Sequence, residues 1–182
     1  MPHRNPWIPL LYTPTCNMPA TWQELAAEKK ARQAASIPKE WLIVPPSDDV
    51  LDVTDIPAKC GLLSARDLEI TEVSSVAVLL SKIATGAWSS VEVATAFCKR
   101  AVIAHQVVRA LSFPLNAQLT FACATTQTNC LTEIFIDRAL ERAAWLDEQL
   151  KLTGKVVGPL HGLPISLKDQ VAIKGLETTM GV

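Results

Sequence analysis

Histidine is scarce in this chain: three in 182 residues, at His3, His105 and His161, too scattered to form a zinc ligand set. Cysteine offers no alternative. The five cysteines (Cys16, Cys60, Cys98, Cys123 and Cys130) are odd in number, lack metal-ligand spacing and belong to a chain too large to be a disulfide-stapled module. They read as buried or free thiols in a reducing compartment, which suits a cytoplasmic location; no metal or organic cofactor is expected. The chain also lacks a basic cluster. Its formal net charge is −1 and its pI near 6.3, which argues against nucleic-acid and anionic-membrane partners. The one basic run, Lys29-Lys30-Ala31-Arg32, reads as the wet face of a helix. Long unbroken apolar runs are missing as well. Pro6, Pro9 and Pro14 interrupt the first 17 residues, which excludes a secretory signal core there.

What is present is ordinary for a globular protein: 49% apolar and 19% charged residues, enough for one domain with a core. Helix signals dominate. Thr21 and Glu24 have capping-box spacing ahead of an Ala- and Lys-rich run that Pro38 ends. Residues 41–60 hold Pro45-Pro46 and the Asp48-Asp49 pair and read as a looping surface crossing, in which the two carboxylates form a solvated turn. Ser64 with Asp67 opens a short helix. Over 75–85, Val76, Leu79, Leu80 and Ile83 form one stripe before Gly86 stops it. Ser89 with Glu92 opens a longer helix with Val93, Ala94, Phe97, Ala101 and Ala104 on a shared face. Trp88 and Phe97 read as packing anchors. A further helix starts near Thr132, carries Ile134, Ala139, Ala143, Leu146 and Leu150, and ends near Gly154 with Lys151 and Lys155 suiting its C-terminal dipole.

The stretch with most chemical promise is 158–169, GPLHGLPISLKD. Gly158-Pro159 and Gly162 punctuate turns; from Leu163 to Lys168 apolar and other residues alternate, which predicts a strand with Ser166 and Lys168 on one side. If that side is covered, the lysine amine leaves bulk water; burial disfavours its charged form, and a neutral amine can take a proton from a serine hydroxyl. On pattern alone, a lysine at such a place is more often a solvated surface charge.

The block GPLHGLPISLKDQVAIKGLETTMGV resembles the first part of the amidase signature family, its fungal acetamidase-like branch, and SSVEVATAFCKRAVIAHQ and TNCLTEIFIDRALERAAWLDEQLKLTGKVVGPLHG resemble the helical lead-in of those enzymes. The resemblance implies an α/β amidase-signature fold, here its N-terminal helices plus the first central strand of a mixed sheet. It also implies hydrolysis of carbon–nitrogen bonds in small carboxylic amides through a nucleophilic serine, a second serine with a cis peptide bond, and a lysine. Lys168 matches the family lysine. The two serines lie well downstream in the family, whereas Val182 follows Lys168 by fourteen residues, and Ser166 occupies a strand position before the lysine. The expectation is an incomplete, inactive chain that leaves edges and an apolar face uncovered, and so is unstable or aggregates. A non-catalytic helical interaction protein derived from an amidase gene is the alternative. The expected partner is a small amide, with no nucleic acid and no membrane; a homodimer stays open.

Two segments depart from the family pattern. Residues 1–17 precede Met18, where the likeness begins, and read as an unstructured or mis-annotated extension of a domain spanning 18–182. Residues 107–127 carry no charge except Arg109 and no clear period, and Asn116, Gln118 and a cluster of threonines rule out a membrane span. Leu111, Phe113, Leu115, Leu119 and Phe121 lie where a loop would be polar. Removing 108–127 joins the flanks as AHQVTNCLTEIF, which resembles uninterrupted family sequence, so these twenty residues read as a retained intron of sixty nucleotides. Codons for Val108-Arg109, Gln127 and Leu119-Thr120 permit a splice donor, an acceptor and a branch sequence.

Overall fold

The computed structural model describes residues 21–47, 50, 52–107, 131–176 and 178. The 1–17 extension, the Asp48-Asp49 pair and the 108–127 insertion lie outside the described residues. Within them the elements are α1 (Trp22–Ala35), a 3-10 turn at Lys39–Trp41, α2 (Ile56–Lys59), α3 (Ala65–Thr71), α4 (Val76–Ala84), α5 (Ser90–Val107) and α6 (Ile136–Thr153).

Three helix starts follow the spacing of their capping residues. Thr21 and Glu24 close a reciprocal box on α1, as do Ser64 and Asp67 on α3. Ser89 and Glu92 do the same before α5: the Glu92 N–H donates to Ser89 Oγ at 3.0 Å, and the Ser89 N–H donates to Glu92 Oε2 at 2.8 Å. Gly86 and Gly154 end α4 and α6 with φ of 71° and 65°, a left-handed turn that favours glycine.

Helix α5 is the axis of the molecule. Val93, Ala96, Val102 and Ile103 are fully buried on different sides of it, because α3 packs against one flank and α6 against another. A helix enclosed in this way needs no single apolar stripe. The stripe expected from Val93 to Ala104 therefore captures part of the buried surface: Ala101 and Ala104 are only half-buried, while Ala96, Val102 and Ile103 are sealed. One core groups Ile70, Leu79, Ile83, Trp88, Val93 and Ala96. Trp88, 2% exposed, is the packing anchor expected of it; burying a side chain of that size contributes roughly 2–3 kcal/mol. Arg66 lies over its ring at 5.3 Å. A second core joins Trp41, Val102 and Ile136, and a third Leu63, Ile103 and Val107. Val76, expected to face inward, is exposed, and the α4 stripe narrows to Leu79 and Ile83 with Leu80 partly covered.

Polar clamps complete the frame. Gln106, buried on α5, uses its whole amide: Oε1 accepts from the Ile43 N–H at 3.0 Å, and Nε2 donates to the carbonyls of Trp41 and Val102, each at 3.1 Å. Asp147 of α6 reaches the N-terminus of α5, where its two carboxylate oxygens accept from the Ser90 and Val91 N–H groups at 2.6 and 3.0 Å. The chain is fastened again at 131–133. Gln33 of α1 donates to the Leu131 carbonyl, His105 Nδ1 accepts the Leu131 N–H at 3.4 Å, and Lys29 pairs with Glu133 at 3.1 Å.

The expected strand does not form. Residues 163–168 adopt no regular secondary structure, and no strand occurs among the described residues. The physical reason is that a strand is defined by a ladder partner, and no described segment pairs its backbone with this one. Ile165 and Leu167 are exposed at 69% and 53%, and Ser166 and Lys168 are exposed too, so beyond Leu163 and Pro164 neither side of the alternation is covered. The described structure is thus helical. No described helix is long and apolar enough to cross a membrane.

Candidate active site

The run after α6 begins with a compact double turn. The His161 N–H donates to the Gly158 carbonyl at 3.1 Å, and the Leu163 N–H donates to the Leu160 carbonyl at 3.2 Å. His161 is 5% exposed, and its Nδ1 accepts the Val157 N–H at 3.1 Å, which places the ring proton on Nε2. Gly162 takes φ of 74° directly against α5: a Cβ there would lie 2.6 Å from Ser90 Oγ and 3.1 Å from Ile83 Cγ2. Only glycine fits both the backbone angle and the space. Leu163 then packs on the Trp88 core.

This turn walls an open cleft of about 540 Å³. Ala94 and Cys98 of α5 and Ala143 and Leu146 of α6 line the opposite side, with Arg142 as its charged member. Burial pushes the Cys98 thiol up from its ordinary value, so it stays protonated and behaves as a small apolar group. Cys60 and Cys98 are free thiols, as expected.

Lys168 follows the cleft wall. Among the described residues no side-chain hydrogen bond or ion pair engages its amine, and the residue is exposed. The dry environment that would neutralise it is not supplied by the described residues, and no hydroxyl is brought to it. What the structure fixes is the backbone around it. The Lys168 carbonyl accepts from the Val171 N–H at 2.9 Å, and next door Thr132 Oγ1 donates to Asp169 Oδ1 at 3.2 Å. Sequence reading missed His161 as a buried side chain and missed Asp147 altogether. A histidine between turn glycines gives a weak signal of burial, and an aspartate on the wet side of a helix pattern gives none. No described group of three His, Cys, Asp or Glu side chains could hold a metal ion.

The helical frame and the turn it seats match part of a solved structure. A solved fatty acid amide hydrolase superposes with a TM-score of 0.66 at 35% identity, covering 82% of this chain and 24% of that one. The amidase family profile matches residues 115–182, which take in the cleft wall and Lys168. That match begins inside 108–127 and so does not respect the boundaries of the proposed insertion. An acetamidase of Emericella nidulans is 48% identical over 166 residues, covering 90% of this chain and 26% of the relative. An amidase of Gibberella moniliformis is 46% identical over 168 residues, covering 88% and 28%. An acetamidase of Aspergillus oryzae is 43% identical over 163 residues, covering 88% and 26%. The chain is similar to the amidase family over these matches and spans about a quarter of the length of the curated relatives it matches.

Proposed function

We propose that this chain is the lysine-bearing part of an amidase that hydrolyses carbon–nitrogen bonds in small carboxylic amides, acetamide-like in size, within a mixed-sheet fold in which 163–168 is a central strand. The observation that carries this reading is the 48% identity with an acetamidase over nine-tenths of the chain, together with the family match across Lys168. Lys168 acts as the proton relay. Held neutral in the assembled site, its amine accepts through one serine the hydroxyl proton of a second, which attacks the amide carbon; the proton then goes to the departing amine or ammonia. The alternation of 163–168 supports the strand, since exposed Ile165 and Leu167 offer an apolar row for neighbours to cover. Ammonia release from acetamide by the complete polypeptide carrying this sequence tests the reading. Activity that Lys168→Ala abolishes supports it; activity untouched by that change defeats it.

A second reading has one observation in its favour. The regular elements among the described residues are all helices, and Lys168 is exposed with no side-chain partner among them, which suits a non-catalytic interaction protein derived from an amidase gene. It predicts no amide hydrolysis by any polypeptide carrying the sequence.

A further inference from the structure

Two buried polar atoms have no hydrogen-bond partner at the turn beside the cleft: His161 Nε2 and Ser90 Oγ. Both belong to residues that seat the 158–163 turn on the N-terminus of α5, and the mechanism above uses neither. Buried polar groups are ordinarily satisfied, and exceptions ask for an explanation. We propose that His161 is a positioning residue for Lys168: its imidazole locks the turn from which the lysine-bearing run departs. This rests on the reading of Lys168 as the relay.

The geometry makes the turn a fixed origin. His161 Nδ1 holds the Val157 N–H, closing the turn on its own entry strand of chain. Gly162 sits against Ser90 with no room for a Cβ, so the turn packs flush on the start of α5. Ser90 is itself immobilised, because its N–H and that of Val91 are held by Asp147. From this origin the chain runs six residues to Lys168, and Asp169 is tied to Thr132 immediately afterwards. A lysine fastened before and after needs no contact of its own to be placed. Removing the first fastening lets the amine move while leaving the chemistry of every group intact, and misplacement by about 1 Å can cost up to roughly a hundredfold in rate.

Asparagine and glutamine separate the two ring nitrogens. Asn places an acceptor where Nδ1 lies; Gln places its polar atoms near Nε2 and leaves the Val157 N–H unmet. In the complete polypeptide hydrolysing acetamide, His161→Gln and His161→Ala should lower kcat about 10- to 100-fold with KM within about twofold, and His161→Asn should recover most of the loss. In the 182-residue chain, the same Gln change should speed hydrogen exchange of the Val157 amide about tenfold or more, and Asn should not. Those exchange rates are read on folded protein even where His161→Ala fails to fold. Equal kcat for Asn and Gln, or wild-type kcat for Gln while Lys168→Ala is inactive, overturns the positioning role and leaves the relay standing. Wild-type activity in Lys168→Ala overturns the relay beneath it, whatever His161 does.

Discussion

Replacing Asp147 by alanine should be the most damaging single change on the outer face of α6, although the residue lies 57 positions from the group it serves. Its carboxylate accepts from the first two free N–H groups of α5, at 2.6 and 3.0 Å, at the end of the helix where the backbone dipole favours negative charge. A hydrogen bond to a charged group contributes about 1.5–3 kcal/mol, and the two share one half-buried carboxylate, so the loss is about 2–4 kcal/mol. Urea unfolding followed by circular dichroism measures it, at protein concentrations low enough to keep the exposed apolar run from associating. The three core clusters of the described residues are the packing whose loss such unfolding would report. With a slope of about 2 kcal/mol per molar urea, Asp147→Ala lowers the midpoint by about 1–2 M. Asp147→Asn keeps an acceptor but loses the charge, and should fall about halfway. A midpoint shift below about 0.3 M for the alanine variant would refute the claim that this carboxylate fixes α5.

Acid should destabilise the chain in two stages. Burial holds the His105 imidazole below its ordinary value of 6.5, so the unfolded state binds its proton first. Stability present above that value is lost as pH falls below it, and His105→Gln should flatten the urea midpoint between pH 7 and 5. Burial pushes the Asp67 carboxyl up, but the Lys99 ammonium at 2.9 Å and the Ser64 capping bonds outweigh it and hold it below 3.8. A second loss therefore begins as pH drops below the ordinary carboxylate range, and Lys99→Ala should cost about 2 kcal/mol at pH 7 by leaving a buried carboxylate unpaired. Leu160, Ile165 and Leu167 are all more than half exposed, so the wild-type chain should aggregate with rising concentration, and light scattering should find Ile165→Lys soluble at higher concentration. The reading of 108–127 as a retained intron predicts that mature messenger RNA lacks those sixty bases; sequencing that finds them in every transcript removes it.

The parts of the fold legible in the sequence are those decided within one turn of chain. Three capping boxes, the glycines that end α4 and α6, and the anchoring by Trp88 all follow from residues a few positions apart. What escaped was decided by distant partners. Gln106 is polar in a helix and looks like a surface residue until the 41–43 segment lies against it. Asp147 and Gln33 likewise acquire their roles from α5 and Leu131. The alternation over 163–168 was legible as a pattern, yet a strand exists only with a neighbour, and pattern cannot supply one. For the site, pattern and resemblance proposed Lys168, which is exposed among the described residues; a cover for it would come from packing that no local period encodes.

Lys168→Arg tests the account most directly, because guanidinium keeps the charge and much of the length of lysine but cannot be deprotonated. In the complete polypeptide hydrolysing acetamide, a relay through a neutral amine predicts that kcat falls by about 10²–10⁴-fold in Lys168→Arg, as in Lys168→Ala. An arginine variant retaining kcat within about threefold would contradict it, since a permanently charged group cannot accept the proton.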